Sequence, residues 1–258
     1  MKISVVIPVC NGEKYIAACL DCMARQTHRD LELIVVDDGS TDRTAGIAAG
    51  YAGVKLISQQ NRGQSVARNV GMAAATGDYI HFMDADDLIN DRFYELLAAA
   101  AAGTGSDAAC CEVVNEPKPA RNTPVAERRV LETTDEKMRG TNVGRWGYVW
   151  RYLFRASFLR ERALTFEPGR LVEDMPFSLQ AIYFANRVVM TPGAVYTYML
   201  HEGSSMTIRT REHRRRRHRD LRHARELRHR FARRHGFRIP GVPTAWGWLS
   251  LLYVKWLT

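Results

Sequence analysis

Four short apolar runs, "KISVVIPV", "LELIVVDD", "VKLISQ" and "GDYIHFM", alternate with stretches of helical spacing, and this restricts the chain to a small group of folds. The runs are rich in β-branched residues and of strand length. Between the first two, Ile16, Leu20 and Met23 recur at helical intervals with Ala17 and Ala24 alongside. After this β-α-β unit come a second helix from near Asp42, a strand, a helical stretch from Gly63 to Ala75, and a fourth strand. Alternation of this kind predicts an α/β protein with a mostly parallel sheet and helices on both faces. In such sheets ligands gather at the carboxyl ends of the strands. "VVDDGS" and "HFMDADD" place aspartates at two such ends, so Asp37, Asp38, Asp84 and Asp86 are expected to converge on one crevice.

Spacing narrows what the crevice holds. A dinucleotide site would need G-x-G-x-x-G after the first strand, where this chain has "PVCNGE"; a P-loop would need Gly-Lys-Ser/Thr, which is missing. A calcium loop starting at Asp84 would need Asp or Asn at position 88 and Gly at 89, and Leu88 and Ile89 stand there. What remains is a D-x-D at a strand end. Its short carboxylates suit a hard divalent cation that keeps positions open for phosphate oxygens. Read alone, the motif is equally compatible with a solvated turn.

Net charge first suggests a polyanionic partner. The formal value is +9, but between Arg211 and His235 twelve arginines face only Glu212, Asp220 and Glu226. The remainder carries 25 basic and 25 acidic residues, so the basicity belongs to one carboxyl-terminal segment. Cys10, Cys19, Cys22, Cys110 and Cys111 are odd in number and lie among apolar residues, which suits a reducing compartment. Cys19 and Cys22 match C-x-x-C without a second pair at zinc spacing, and packing accounts for them. "ISVVIPV" carries Ser4 and Pro8 with no cleavage site after it, and is expected to be a strand rather than a signal peptide.

The motifs "IPVCNGEKYI", "VVDDGSTDRT", "NRGQSVARNVG" and "GDYIHFMDADD", in this order over residues 2 to 95, resemble the amino-terminal half of glycosyltransferase family 2, of the bacterial surface-polysaccharide and lipopolysaccharide type. The resemblance implies the GT-A fold, a Rossmann-like sheet with flanking helices. It implies that Pro8, Asn11 and Glu13 border a nucleotide base and that Asp38, with Asp37 beside it, binds base or ribose. Arg68 is implied to lie near base and phosphates, with Ala85 in the same nucleotide-sugar site. Asp84 is then a ribose and metal neighbour and Asp86 the direct ligand of Mn²⁺ or Mg²⁺; no role attaches to Asp87. Cys10 departs from the aromatic residue common there.

In the second half, residues Glu112 to Arg145 are polar, with Pro117, Pro119 and Pro124 and no clear period, and read as irregular connection. An aromatic stretch around Trp150 follows, then "EPGRLVEDMPFSLQAIYFA". Asp174 before Pro176 is suited to be a helix N-cap, and an exposed carboxylate there can equally act as a base. The resemblance extends here to a tryptophan-containing acceptor segment, an E-D pair and a Y-x-Y segment ending in serines. These match Trp150, Glu173-Asp174, Tyr196-Thr197-Tyr198 and Ser204-Ser205. It implies acceptor contacts at Trp150 and Arg151, with Arg where Lys is common, and general-base catalysis by Asp174 beside Glu173.

The implied activity is inverting, metal-dependent transfer of a sugar from a nucleotide-diphosphate sugar, uridine being the family expectation, to a hydroxyl of a glycan or lipid-linked acceptor. The implied organisation is a nucleotide-sugar half (1–100), an acceptor half (101–207) and a basic, aromatic helical extension (208–258). Leu221, Ala224, Leu227 and Phe231 form an apolar stripe in the Arg-rich run, and Trp246, Trp248, Tyr253 and Trp256 follow it. The last apolar run has about twelve residues, short of the roughly 20 of a membrane span. Segment 211–258 therefore suits peripheral contact with the inner face of the cytoplasmic membrane by a cytoplasmic protein, or packing on the body. No stacking aromatics interleave with the arginines, so nucleic acid is not an expected partner; a homodimer is left open. Two other classes fit less well. A sugar nucleotidyltransferase would want a glycine-rich basic first loop, and a non-catalytic nucleotide- or glycan-binding protein would not need Asp174.

Overall fold

β-branched residues with apolar side chains on both faces make β1 (Ile3–Val9) a central strand, buried along its whole length. Ile3, Val5, Ile7 and Val9 point to one side and Val6 to the other, as the two-residue pleat requires. The computed structural model describes residues 1–118, 122–201 and 207–242. Pro119, Ser204-Ser205 and the aromatic run from Trp246 to Trp256 lie outside them.

β1 pairs in parallel with β2 (Leu31–Asp38) and β4 (Tyr79–Phe82), and β2 with β3 (Val54–Gln59). The crossovers are α1 (Ile16–Ala24), α2 (Thr44–Ala49) and α3 (Gln64–Ala74). β5 (Leu88–Ile89), α4 (Phe93–Thr104) and β6 (Ala108–Glu116) follow, then β7 (Arg129–Leu131), α5 (Thr134–Thr141) and a 3₁₀ turn at Val149–Arg151. The chain continues through β8 (Tyr152–Arg155), α6 (Ala156–Glu161), α7 (Asp174–Phe184), β9 (Val188–Met199) and α8 (Arg211–Arg234). The sheet order is β3-β2-β1-β4-β8-β6-β9-β5, with β7 on β9. The amino-terminal strands are parallel. Beyond them β8 runs antiparallel to both β4 and β6, while β6 and β9 are parallel.

Two layers of side chains enclose the sheet. α1 and α4 cover the face of Ile3, Val5 and Ile7, and α3, α6 and α7 cover that of Val6, Ile34 and Phe82. Both clusters draw on both halves of the sequence.

Residues 112–145 correct the expectation of irregular connection. They hold the end of β6, all of β7, and α5 with a complete capping box. Thr133 accepts from the Glu136 backbone N–H, and the Glu136 carboxylate accepts from that of Thr133. "TTDE" carried that signal before a segment too short and polar to show a period. The stripe on α8 is also shifted. The buried residues are Asp220, Ala224, Arg228 and Ala232, with Leu221 and Leu227 only partly covered, because Asp220 and Arg228 are turned inward to polar partners on the body.

Candidate active site

The parallel strands place their carboxyl ends along one edge, and the loops there build a pocket of about 370 Å³ lined by Pro8, Asn11, Asp38, Asp84, Ala85 and Asp86, among others. That volume lies in the range of small-ligand pockets.

The first wall comes from the loop after β1. Asn11 takes a left-handed backbone (φ 53°) that asparagine tolerates better than most residues. Its Oδ1 accepts from the Thr41 backbone N–H at 2.8 Å, and its own N–H donates to Ser40 Oγ at 2.9 Å. Glu13 is turned away from the pocket and accepts from the backbone and side chain of Arg43. Pro8 and Asn11 thus line the pocket while Glu13 ties together the loops that support them.

Asp38 is 3% exposed and its carboxylate accepts three hydrogen bonds: from Gln59 Nε2 at 2.7 Å, Arg62 N at 2.8 Å and Gly63 N at 2.7 Å. It lines the pocket while fixing the loop that starts α3. Asp37 does not line it. Its Oδ1 accepts from Ser40 N and closes a turn at Gly39, which has φ 74° and packs so closely that a Cβ would meet Asn61 N at 2.7 Å. The expected convergence therefore holds for Asp38, Asp84 and Asp86 and fails for Asp37.

Arg68 departs furthest from expectation. Its guanidinium does not line the pocket but is buried behind it, 3% exposed, and lies over Phe166. It donates through Nη2 to Asp84 Oδ1 at 2.7 Å and through Nη1 to Glu173 Oε1. One cation thereby joins the aspartate after β4 to the carboxylate just before α7, 105 residues along from Arg68. Burial opposes its charge, but Asp84 and Glu173 more than offset this and hold it protonated.

Glu173 occupies the N-cap position of α7 without a side-chain cap, and Asp174 is in the first turn. Asp174 is thus neither the N-cap nor the exposed carboxylate expected; it is half-buried. Burial first, then the Glu173 charge, with Arg68 opposing, push its pKa up to about 7. Burial also raises Asp84 and Glu173, again against Arg68.

On the other side of the D-x-D, Asp86 is a third exposed and its Oδ2 accepts from His201 Nε2 at 2.7 Å. The His201 ring lies 4.2 Å from that of Tyr15, and His201 and Tyr198 both line the pocket. Asp87 is fully buried, accepting from the Tyr196 hydroxyl at 2.7 Å and from Met199 N at 2.8 Å, and so anchors β9 beneath the acidic turn. His201 carried no readable signal, because a lone histidine at a strand end has no spacing partner in sequence.

The donor set is two carboxylates and an imidazole. Among the described residues no three metal-ligating side chains are already gathered. Asp84 Oδ1 is committed to Arg68 and Gln64. These residues fit a cation that draws its remaining ligands from phosphate and water.

The two acceptor-segment residues are interior. Trp150 is 3% exposed and stacks between Tyr148 (4.7 Å) and Tyr196 (4.3 Å). Arg151 is equally buried and donates to the Thr141 carbonyl at 2.8 Å. Neither lines the pocket. Three rings of this ladder reach solvent: Tyr198, half-buried on the pocket side, and at the other end Tyr148, half-buried, and Trp146, 37% exposed.

A mixed sheet of this order, parallel in its amino-terminal half and carrying an acidic pocket at its strand ends, defines an α/β protein of the GT-A type. The chain belongs to glycosyl transferase family 2, whose model matches residues 4–163. It is 36% identical over 207 residues to the uncharacterized glycosyltransferase EpsJ of Bacillus subtilis, covering 76% of this chain and 60% of the relative. The chain thus spans about 60% of the length of the curated relatives it matches first. Among solved structures it superposes on Staphylococcus aureus TarS residues 1–349 in complex with UDP-GlcNAc, with TM-score 0.75, 25% identity, and 89% of this chain and 66% of that one covered. It also superposes on the mannosyltransferase PcManGT of Pyrobaculum calidifontis in complex with GDP-Man and Mn²⁺, with TM-score 0.62, 21% identity, and 90% and 64% covered.

Proposed function

We propose that the protein is an inverting glycosyltransferase that moves a sugar from a UDP-sugar to a hydroxyl of a glycan or lipid-linked acceptor in surface-polysaccharide synthesis. One observation carries the reading: Arg68 ties the strand-end Asp84 to Glu173, so the donor pocket and the carboxyl pair at α7 form one charged unit. The likeness to TarS with UDP-GlcNAc supports the uridine donor.

In this reading residues 1–100 bind the donor, 101–207 receive the acceptor and 208–258 form an extension. Pro8 and Asn11 border the base, and Asp38 holds the loop at Gly63 beside it. Asp86, with Asp84 beside it, would hold Mn²⁺ or Mg²⁺, which when bound neutralises the leaving diphosphate. Asp174 takes the proton from the acceptor hydroxyl as its oxygen attacks the anomeric carbon. The bond from that carbon to the diphosphate oxygen breaks with its electron pair leaving to the phosphate, on the opposite side, so the centre inverts. The Glu173 and Arg68 charges act in opposite senses on the Asp174 carboxyl, and the Tyr148 and Trp146 end of the aromatic ladder offers a sugar-sized apolar face near α7.

The test is calorimetric titration of UDP, GDP and ADP with and without Mn²⁺, followed by turnover of UDP-sugars. UDP binding that needs the metal and is lost in Asp86→Ala is expected. Asp174→Asn is expected to keep UDP binding and lose about 10²- to 10⁴-fold in turnover. Full turnover by Asp174→Asn, or release of pyrophosphate in place of UDP, would overturn the reading.

A further inference from the structure

Away from the donor pocket, α7 and α8 enclose a cleft of about 470 Å³. Its floor is apolar, made by Pro176 and Leu179 of α7 with Leu227 and Phe231 of α8. Its cationic side is formed by Arg228, Arg230 and Arg234.

Arg228 is 7% exposed, and its Nη1 donates to the Gly144 carbonyl at 2.6 Å. Its Nε is buried without a hydrogen-bond partner among the described residues. Burial with the nearby Arg225 charge depresses its pKa to about 10. Arg230 and Arg234, one helical turn apart, are exposed at the rim. An apolar floor flanked by three guanidiniums, two of them exposed at the rim, is complementary to a phosphate carried on a hydrocarbon chain.

The outer face of α8 extends the same charge. Arg214, Arg215, Arg219, Arg222 and Arg225 are exposed there, while the acidic Asp220 is turned inward to Arg170 and the Leu171 backbone. With the rest of the chain neutral, the field of the molecule is one-sided, as a flat anionic surface would require. No helix among the described residues is long and apolar enough to cross a membrane.

We propose that the α7–α8 cleft is a headgroup site for an anionic bilayer phospholipid, which takes the lipid phosphate at Arg228, Arg230 and Arg234 and the start of its chain on the apolar floor. The protein then lies on the bilayer with the arginine face of α8 against it. This rests on the cleft and its charges, not on the transfer chemistry, and UDP binding reads the latter separately.

The experiment pairs vesicle sedimentation of the full chain with titration of dihexanoyl phosphatidylglycerol below its micelle concentration. Sedimentation with phosphatidylglycerol vesicles and not with phosphatidylcholine vesicles is expected. The short-chain lipid is expected to bind and to lose about tenfold in affinity in Arg230→Glu/Arg234→Glu. Arg214→Glu/Arg215→Glu, on α8 away from the cleft, should keep that affinity within about twofold. Both pairs are exposed, so the variants retain the fold, checked by unchanged thermal midpoint and UDP binding. Equal loss in both variants, or no binding of the short-chain lipid, overturns the cleft as a site. Glycerol 1-phosphate binding as tightly as the lipid would mean recognition of free phosphate. A single-stranded oligonucleotide that displaces the vesicles at equal salt would mean a nucleic-acid surface, and either result overturns the proposal.

Discussion

Asp174, half-buried at the start of α7, and His81, fully buried in β4, are titratable groups shifted in opposite directions. His81 Nε2 donates to the Trp150 carbonyl and its Nδ1 accepts from the Tyr94 hydroxyl, so burial keeps the ring neutral with its pKa lowered to about 4. It supports structure. Asp174 is raised to about 7, where a carboxylate is basic enough to take a proton at neutral pH. Turnover is therefore expected to fall about tenfold per pH unit below about 7, measured with saturating donor. The same shift acts on stability. A carboxyl with a raised folded pKa favours the folded state while protonated, and this contribution is lost as pH rises through about 7. Without donor, the thermal midpoint of Asp174→Asn should thus exceed that of the wild type above pH 7 and converge with it in acid; a pH-independent difference would mean that Asp174 is not raised. The aspartates of both motifs and the E-D pair were legible as residues. That Arg68 pairs with two of them was not, because its partners stand 16 and 105 positions away.

At the scale of elements, Asp174, the proposed base, is placed by the contact between the loop before the 3₁₀ turn and α7. Gly147 lies against the first turn of α7, where a Cβ would fall 2.1 Å from Met175 Cα, and its carbonyl accepts from Ser178 Oγ at 2.9 Å. Gly147→Ala is expected to force α7 outward and cost on the order of 1–3 kcal/mol, as overpacking does. Urea unfolding would measure the cost, and turnover should fall more than UDP affinity because the displaced backbone carries Asp174. A variant as stable and as active as the wild type would show that α7 does not rest on this contact. Strands β1 to β4 and their helices were readable because apolar periodicity reports burial directly. α5 and β7 were not, since both are short and their capping and pairing outweigh composition.

Across the whole molecule, α8 is fastened to the body by polar groups. Asp220, 4% exposed, accepts from Arg170 Nη1 at 3.2 Å and from Leu171 N at 3.1 Å, and His223 pairs with Glu167 at 2.8 Å. Both contacts fall on the segment that leads into Glu173 and Asp174. Asp220→Ala leaves the Leu171 N–H without its partner, for about 1–3 kcal/mol. It is expected to lower turnover with UDP affinity unchanged, because the proposed donor loops lie on the strands and the proposed base, Asp174, lies downstream of the loosened segment. Titration of UDP alongside turnover checks this, and equal loss in both would mean that α8 supports the whole fold.

By itself the sequence determined the parallel half of the sheet, the family, and the carboxylates available for chemistry, because these depend on periodicity and on motifs within a few tens of residues. Only the tertiary structure decided which of those groups share a charge. Arg68 was drawn from the nucleotide side into a buried link, Asp37 and Glu13 into loop bracing, and Trp150 and Arg151 into the interior. His201 was brought against Asp86. Pairing over more than a hundred residues depends on where β9 and α7 dock on the sheet, and no local pattern encodes that distance.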